Sequence, residues 1–424
     1  MLKAVIDAGY NSFRLCTYDF YENRTFRIRR SAKEFVRIGD GVESGSAIPE
    51  KKIDSAIATL DKFQKIVQSE NISDPVAVGT SAFRYASNSG YIIEKIFSET
   101  GIKINVVSGE EEGRFAALGT LNTLPIKDAM IFDLGGGSLE VATVKNGQIG
   151  KVKLYGLGAL KLKKFEKDQK KLRKEIRKQL ENIYIPRGKP IVGTGGNVRA
   201  LAKIDLNSRQ YPLLSFHGYS LPIQRISKHA KHLISIESEE RRKLPGVNKD
   251  RSTTVHVAAV IIDEFMKYAE SKELMVSSYG MREGVLTGTE IDRKTLRKNW
   301  LDNIALNLNL HISPTIYDSI IDDWTRYGKI TPYLAASSFI ALTLKEFGFL
   351  NPYEMGFSFL RHSVMPGFTS GESLVMAAIF NSATSKPDRN ILNFVADKFS
   401  ARDLLQAAKE MKSITSKNHS GRTT

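Results

Sequence analysis

Apolar and polar positions alternate in short runs through the first third of the chain, which predicts β-strands joined by hairpin turns. Gly, Asn and Glu fill the short segments between the first runs, as is typical of such turns. Between Ile53 and Val67 the apolar residues recur at every third or fourth position instead, so this stretch is predicted to be an amphipathic helix. The strands predicted in this part are 2–7, 13–19, 25–31, 75–79 and 102–107.

The second third of the chain has a similar succession of patterns. Three strand-like runs are followed by a long amphipathic pattern over 160–183, which predicts one helix. A short apolar run at 190–193 predicts a strand that leads into a glycine-rich turn. The three strands before the helix are predicted at 129–133, 139–144 and 148–154.

Two six-residue segments share the pattern D-x-G-x-x-S, one beginning at Asp7 and the other at Asp133. A second pair, Val-Gly-Thr followed within a few residues by an arginine, leads to Arg84 in the first third and to Arg199 in the second. Both pairs occur in the same order and at similar spacing. We therefore expect two copies of one α/β domain.

After residue 292 the pattern becomes mostly helical, including a predicted helix at 314–327, and the last residues are polar. We expect a separate helical domain followed by a disordered tail. The predicted division is 1–121 for the first α/β domain, 122–292 for the second, 293–412 for the helical domain and 413–424 for the tail.

Charge and composition narrow the range of partners. The formal net charge of +16 favours an anionic partner, such as nucleic acid, an acidic membrane face or a phosphate polymer.

The single cysteine, Cys16, cannot form an internal disulfide and lies in an apolar run, so we expect a buried thiol in a reducing compartment. No apolar run is long enough to span a membrane and no signal-peptide pattern opens the chain, so a cytoplasmic location is expected.

The turn after the strand at 129–133 has the composition of a phosphate site. Asp133 ends the strand, and three consecutive glycines and Ser138 follow it. Glycines let the backbone approach an anion closely and direct several N–H groups toward it, whereas a plain hairpin does not need three of them. Asp133 and Glu140 are suited to hold Mg²⁺ or another divalent cation beside phosphate oxygens. The predicted phosphate-binding residues of this turn are Gly135, Gly136, Gly137 and Ser138.

Three other segments are candidates for the same site. The first turn retains a carboxylate, Asp7, which is a third candidate metal ligand, together with the polar residues Asn11 and Ser12. A glycine pair precedes a helical run near residue 198 and forms a predicted anion site at a helix N-terminus. Thr80 and Arg84 could bind phosphate, but a helix cap and a surface ion pair explain them equally well. The glycine pair is Gly195 and Gly196.

Three consecutive glutamates, 110–112, open a predicted helix after Ser108. Acidic residues favour this position for electrostatic reasons alone, so their presence does not by itself indicate catalysis. Phosphate hydrolysis nevertheless needs a carboxylate that positions or deprotonates water.

The sequence leaves the role of two other stretches undecided. Arg282 and Glu283, between glycines, could line a cleft or belong to a plain loop-to-helix junction. The basic stretch 151–189 is either a solvated helix or a track for a polyanion.

Taken together and in order, these motifs resemble the exopolyphosphatase/guanosine pentaphosphatase family, the Ppx/GppA phosphatases, over about residues 4–290. The resemblance implies two ribonuclease-H-like domains of the actin and sugar-kinase superfamily that flank a cleft, and Mg²⁺-assisted attack of water on a terminal phosphorus. It makes Glu112 the catalytic base and places Arg84 on the facing side of the cleft. Arg84 is the second predicted catalytic residue, and its charge is expected to stabilise the transition state. It implies metal and water positioning by Asp133 and Glu140.

Some residues depart from the family's pattern. Tyr10 stands where a serine is usual and Leu139 where a threonine is usual, so each turn lacks the short aliphatic hydroxyl usual at that position. Longer relatives carry a helical domain similar to metal-dependent HD phosphohydrolases. Here the positions around Glu346 lack the expected histidines, which predicts a shortened, degenerate helical domain without a second catalytic centre.

The predicted function is an exopolyphosphatase that hydrolyses the terminal phosphate of inorganic polyphosphate. Hydrolysis of guanosine pentaphosphate is the nearest alternative, because its catalytic core would be the same. A non-catalytic polyphosphate-binding regulator and a kinase are more distant alternatives. We expect polyphosphate as the partner, no membrane, no specific nucleic acid and, at most, a second copy of the chain in a homodimer.

Overall fold

The computed structural model describes residues 1–42, 45–181, 185–310 and 328–417. The chain forms two compact units. The first combines Met1–Asn122, Ile126–Asp205 and Leu221–Ile291, and therefore holds both predicted α/β copies. The second combines Thr123–Pro125, Leu206–Ser220 and Asp292–Thr424, so two short segments before residue 293 belong with the helical part.

The first unit begins with a mixed five-stranded sheet. A meander of three antiparallel strands forms one side, and two strands that follow helices extend the sheet in parallel. The spatial order is β3-β2-β1-β4-β5. The strands are β1 (Leu2–Ala8), β2 (Phe13–Phe20), β3 (Phe26–Glu34), β4 (Val76–Gly79) and β5 (Ile104–Val106).

A second sheet in the same unit repeats this arrangement. Its central order is β11-β9-β6-β7-β8, with β10 beside β11, and it again consists of an antiparallel meander extended by parallel strands. The shared order bears out the predicted duplication. The strands are β6 (Ala129–Leu134), β7 (Leu139–Lys145), β8 (Gln148–Tyr155), β9 (Ile191–Thr194), β10 (Tyr219–Pro222) and β11 (Glu273–Val276).

Helices cover these sheets. The predicted helix from Ile53 to Val67 is present, and its apolar face is buried in the core of the first sheet beside Phe13 and Phe83. Burial of each such large side chain contributes about 1.5–3 kcal/mol. The helices are α1 (Glu50–Ser69), α2 (Ser81–Tyr85), α3 (Ser89–Thr100), α4 (Gly109–Leu121), α5 (Gln169–Glu181), α6 (Gly196–Ser208), α7 (Ile223–Ser235), α8 (Ser238–Arg242), α9 (Lys249–Ser252), α10 (Val255–Tyr268) and α11 (Met281–Thr287).

The prediction of one helix over 160–183 is wrong. A 3-10 helix, Lys163–Phe165, comes first, and α5 begins only at Gln169. Asp168 interrupts the pattern, because its side chain accepts a hydrogen bond from the backbone N–H of Lys171 over 2.9 Å and starts a new helix. The end of the predicted helix lies outside the described residues.

Helices α4 and α11 pack so closely that their backbones are in direct contact where the helices cross. A Cβ added to Gly119 would stand 2.1 Å from the carbonyl oxygen of Gly280, and one added to Gly284 would stand 1.9 Å from that of Phe115. Only glycine permits this approach. The crossing holds the start of α4, which carries the three glutamates, in a fixed place in the first unit.

The second unit is helical and has its own core, in which Phe339, Phe368 and Phe380 are fully buried. The predicted helix at 314–327 lies outside the described residues. The last helix continues to Lys417, whereas a disordered tail was expected from residue 413; residues 418–424 lie outside the described part. No helix in the described ranges is both long and apolar enough to cross a membrane. These helices are α12 (Leu296–Asn307), α13 (Thr331–Glu346), α14 (Pro352–His362), α15 (Ser370–Thr384), α16 (Arg389–Val395) and α17 (Ala401–Lys417).

Candidate active site

Two equivalent turns open the site, one in each sheet. The backbone N–H of Gly9 donates to the carbonyl oxygen of Ser12 over 3.3 Å, and that of Gly135 donates to Ser138 over 3.0 Å. Each turn joins a strand that ends near an aspartate to the antiparallel strand that follows it. The repeated D-x-G-x-x-S pattern therefore encodes the same local structure twice.

The two turns and the glycine loop after β9 line one cavity of about 220 Å³ in the first unit. Arg84 is absent from its lining but contacts Glu112, which lines it. Predicted residues from five separate segments of the chain thus meet at one place. The predicted residues that line the cavity are Asp7, Asn11, Ser12, Thr80, Glu112, Asp133, Gly135, Gly136, Gly137, Ser138, Glu140, Gly195 and Gly196.

Gly195 is required by its surroundings. It has a φ of +103°, and a Cβ there would stand 2.8 Å from the Oδ1 atom of Asp133 and 2.7 Å from the carbonyl oxygen of Leu134. Glycine alone adopts this conformation without strain and leaves room for the carboxylate. The loop after β9 consequently lies directly against the end of β6.

The three glutamates at the start of α4 have different surroundings. Ser108 and Glu111 form a capping box, in which the Glu111 carboxylate accepts the Ser108 N–H over 2.7 Å and the Ser108 hydroxyl oxygen accepts the Glu111 N–H over 3.1 Å. Glu110 is exposed to solvent. Glu112 alone faces the cavity. Helix capping therefore explains Glu111 and leaves Glu112 for the site.

Glu112 is paired with a single arginine. Arg84 donates from Nη2 to Oε2 of Glu112 over 3.1 Å and from Nη1 to the carbonyl oxygen of Val107 over 2.6 Å. Burial raises the pKa of Glu112 to about 7, Arg84 opposes this rise, and the negative charge of Asp133 adds to it. A carboxyl group with this pKa can accept a proton near neutral pH, as a general base must.

Three further carboxylates stand close to Glu112. Asp133 and Glu140 lie directly opposite each other on β6 and β7. Burial raises the pKa of Asp133 to about 6, and Arg199 opposes this rise. Burial, together with the charge of Glu112, raises the pKa of Glu140 well above its ordinary value. Burial also raises the pKa of Asp7, which Arg282 opposes.

Carboxylates are the type of ligand that Mg²⁺ prefers, although these are not arranged as a complete metal site. Among the described residues no group of three or more His, Cys, Asp or Glu side chains is arranged to hold a metal ion. Mg²⁺, however, is usually bound by one or two carboxylates together with waters and substrate phosphates. The Oε1 atom of Glu140 is buried and has no hydrogen-bond partner within the described ranges, so an unused ligand atom is available.

The ambiguous segment near residue 282 lies in the site. Arg282 and Glu283 both line the cavity, and the same segment is a loop-to-helix junction, because α11 begins at Met281. Both possibilities left open by the sequence therefore hold. Arg282 stands 3.5 Å from Asp7, measured from Nη1 to Oδ2. Glu283 is buried and accepts hydrogen bonds from the Tyr18 hydroxyl and from the Gly280 N–H, each over 2.9 Å. These contacts fix the start of α11 against the first sheet.

Sequence patterns did not identify the basic side of the cavity. Arg14, Lys33, Arg199 and Arg251 all line it, although they come from four separate elements. Of these, only Arg199 belongs to a sequence pattern, the repeated Val-Gly-Thr segment followed by an arginine. No local motif marks the other three, because each is a single basic residue among many in a chain with 62 lysines and arginines.

A second cavity of about 810 Å³ adjoins the first. The two share lining residues that include Tyr10, Gly137 and Leu160. The lining of the second cavity is more apolar than that of the first and includes Tyr85 and Leu154. Its volume lies in the range that is typical of small-molecule sites.

Comparison with known proteins assigns the chain to a protein family. The model of the Ppx/GppA phosphatase family matches residues 22–292, which include Glu112, Asp133 and both glycine loops of the second sheet. The chain belongs to this family. Membership confirms the predicted family and the predicted class of enzyme, a phosphatase. The first turn, with Asp7, and most of the helical unit lie outside the matched residues.

Similar curated proteins match with low identity. Exopolyphosphatase 1 of Mycobacterium tuberculosis is 24% identical over 307 residues, which are 68% of this chain and 87% of that protein. The bifunctional 3-dehydroquinate synthase/phosphatase of Fusobacterium nucleatum is 26% identical over 312 residues, again 68% of this chain. The chain spans about half of that longer relative, 47% of its length.

Solved structures of the Ppx/GppA family share the fold. The family member from Aquifex aeolicus is 27% identical with a TM-score of 0.61, over 70% of this chain and 99% of that one. An exopolyphosphatase from Cytophaga hutchinsonii is 25% identical with a TM-score of 0.62, over 69% and 99%. The predicted fold class, two duplicated actin-like α/β domains followed by helices, is confirmed.

Proposed function

We propose that this phosphatase is an exopolyphosphatase, which hydrolyses the terminal phosphoanhydride bond of inorganic polyphosphate. The observation that carries the proposal is the position of Glu112, whose pKa is about 7, in a cavity with phosphate-type glycine turns and a basic side. Two relatives named as exopolyphosphatases support the choice of substrate. A net charge of +16 also favours a long polyanion.

Glu112 acts as the general base. Its carboxylate takes a proton from a water molecule, whose oxygen forms a bond to the terminal phosphorus while the bridging P–O bond breaks. The products are orthophosphate and a polyphosphate shortened by one unit, and the proton passes from Glu112 to solvent. Arg84 keeps the Glu112 side chain in position through its hydrogen bond over 3.1 Å.

Backbone N–H groups of the glycine turns bind the phosphate oxygens, because a glycine backbone can be approached closely from the cavity. Arg199 and Arg282 supply fixed positive charge beside these turns. Asp133 and Glu140, with Asp7 opposite, would hold Mg²⁺ or another divalent cation. A bound cation would neutralise charge on the phosphate oxygens and so help the attack of water.

Phosphate release tests the proposal. Wild-type protein with Mg²⁺ is expected to release orthophosphate from long-chain polyphosphate, and Glu112→Gln is expected to lose at least about 100-fold in kcat, as for other general bases. Glu110→Gln is the matched control, because this neighbouring glutamate is exposed and is expected to leave kcat unchanged. Polyphosphate that binds without being cleaved by wild type would favour the non-catalytic regulator instead.

The second cavity favours one further candidate substrate. Guanosine pentaphosphate could place its phosphates in the first cavity and its nucleoside against the aromatic and apolar lining of the second, which includes Tyr10 and Tyr85. The same assay decides between the two substrates. A kcat/KM that is higher for guanosine pentaphosphate than for polyphosphate would support this candidate.

The cytoplasmic location and the homodimer remain predictions.

A further inference from the structure

The segment that follows β8 packs against the glycine turn of the second sheet. We call residues 158–161 the supporting segment. A Cβ added to Gly158 would stand 2.2 Å from the carbonyl carbon of Gly137 and 2.3 Å from the carbonyl oxygen of Gly136. Only glycine lets two backbones approach so closely. The supporting segment therefore lies in direct contact with a turn whose N–H groups are proposed to bind phosphate.

Backbone hydrogen bonds join the supporting segment to this turn. The N–H of Ala159 donates to the carbonyl oxygen of Gly135 over 3.2 Å. The N–H groups of Leu160 and Lys161 both donate to the carbonyl oxygen of Gly136, over 2.9 Å and 3.2 Å. These hydrogen bonds hold both carbonyl oxygens of the turn on the side where the supporting segment lies.

The direction of these carbonyl groups fixes the direction of the neighbouring N–H groups. In a planar trans peptide the carbonyl oxygen and the N–H of the next residue point in opposite directions. Because the carbonyl oxygens of Gly135 and Gly136 face the supporting segment, the N–H groups of Gly136 and Gly137 face away from it. Both of these glycines line the first cavity. Within the described ranges neither N–H donates to a protein acceptor, so both are available to a ligand.

The first sheet has the same kind of support, made by different residues. After β3 the N–H of Gly39 donates to the carbonyl oxygen of Tyr10 over 3.1 Å, and that of Arg37 donates to Asn11 over 3.0 Å. Tyr10 occupies the position of Gly136 in the repeated D-x-G-x-x-S pattern. The two turns differ in their side chains and share this backbone support. The support therefore belongs to the turn itself and does not depend on one side chain.

A buried histidine anchors the chain just after the supporting segment. The Nε2 atom of His256, on α10, lies 2.8 Å from Oε2 of Glu166. Burial lowers the pKa of His256 to about 4, so the ring is neutral near pH 7 and donates from Nε2–H to the carboxylate. Its Nδ1 atom has no hydrogen-bond partner in the described part of the chain. Removal of the Glu166 carboxylate would thus leave the buried ring unpaired, which is unfavourable.

We propose that Gly158 and the Glu166–His256 pair are positioning residues for phosphate hydrolysis. They act through the turn, because the supporting segment keeps the carbonyl oxygens of Gly135 and Gly136 away from the phosphate and directs N–H groups toward it. A turn without this support would expose carbonyl oxygens that repel phosphate. This inference rests on the proposed function, since it takes the first cavity as the place where phosphate is removed. It applies to polyphosphate and to guanosine pentaphosphate alike.

The test measures KM for polyphosphate and the inhibition constant Ki of the product, orthophosphate. Gly158→Ala forces the supporting segment away from the turn, and both constants are expected to rise about tenfold or more. Glu166→Ala, which removes the anchor, should raise both about fivefold, and it decides the question if Gly158→Ala does not fold. Glu166→Gln keeps an oxygen that accepts the His256 N–H, so it should stay within about twofold of wild type.

Two substitutions away from both cavities are the controls. Gly90→Ala adds a methyl group where nothing lies within 4 Å, and Glu239→Ala removes a carboxylate that is 77% exposed. Both should leave KM and Ki unchanged. A merely structural role of the supporting segment would reduce the amount of folded protein, and with it kcat and Tm, without changing KM or Ki.

Unchanged KM and Ki in Glu166→Ala would therefore overturn the inference, and so would equal effects of Glu166→Ala and Glu166→Gln. The proposed function fails separately, if wild type releases no orthophosphate from polyphosphate. Binding of orthophosphate, measured by calorimetry, then tests the supporting segment without catalysis. Weaker binding by Glu166→Ala than by wild type would support the inference. Equal binding, or no binding by wild type, would refute it.

Discussion

Arg84 reaches Glu112 while anchored to the backbone. One guanidinium nitrogen donates to the Glu112 carboxylate over 3.1 Å, and the other donates to the carbonyl oxygen of Val107, directly before the helix that carries Glu112. The cation therefore holds the carboxylate in place and also stabilises its charged form. Burial acts in the opposite direction, and the balance leaves the pKa of Glu112 at about 7.

This balance predicts the pH dependence of catalysis. Glu112 must be deprotonated to accept a proton, so kcat/KM is expected to rise as the pH increases through about 7 and then to level off. Arg84→Met removes the charge that lowers the pKa of Glu112, so the midpoint should move to higher pH. The profile of kcat/KM against pH for both proteins measures the shift, and a midpoint that stays in place would show that Arg84 does not act on Glu112.

Neighbouring glutamates should separate stability from catalysis. Glu111→Ala removes one half of the capping box, so it is expected to lower the free energy of unfolding by about 1 kcal/mol while kcat is retained. Glu112→Gln should have the reverse effect, with kcat lost and stability little changed. Urea denaturation and phosphate release measure the two quantities. A large loss of kcat in Glu111→Ala would contradict the assignment of the base.

The buried carboxylates predict how stability changes with pH. The folded-state pKa values of Glu112 and Asp133, about 7 and about 6, exceed the ordinary values of 4.5 and 3.8. The folded protein therefore binds more protons between about pH 4 and pH 7, and the contribution of these groups to the free energy of unfolding falls as the pH rises through this window. A divalent cation should offset this loss, so Mg²⁺ is expected to raise Tm more at pH 7.5 than at pH 5.

Asp133→Asn tests that the response arises at this site. The variant should show a smaller increase of Tm with Mg²⁺ at pH 7.5, because the cation loses one carboxylate. Half-exposed Asp61 on α1, which lines neither cavity, provides the matched control, and Asp61→Asn should respond as wild type does. An equal response in wild type and Asp133→Asn would remove this residue from the metal proposal.

Glycine at the crossing of α4 and α11 is predicted to be irreplaceable. A methyl group at Gly284 would stand 1.9 Å from a backbone oxygen, so Gly284→Ala must separate the two helices and should cost about 3 kcal/mol or more. Gly90 on α3 has open space around it, and Gly90→Ala is expected to stabilise the protein by about 0.4–1 kcal/mol. Thermal unfolding of the two variants should therefore show opposite shifts of Tm.

Local patterns in the sequence determined much of this protein. The pattern of apolar residues predicted every strand of the first sheet and four of the six strands of the second, but not β10 (Tyr219–Pro222) or β11 (Glu273–Val276). The repeated D-x-G-x-x-S pattern predicted the duplication and both turns. Such features depend on residues only a few positions apart, so they can be read along the chain. The same locality explains the error at 160–183, where a helical pattern continued through a break that the Asp168 side chain creates.

Tertiary structure decided which residues share the site. The three glutamates are alike in sequence, and only the packing of α4 turns Glu112 toward the cavity while Glu111 caps the helix. Arg14 and Lys33 became neighbours through strand register, and Arg251 joined them from more than 200 residues away in sequence. Contacts of this kind depend on how distant segments pack, which short-range periodicity does not encode.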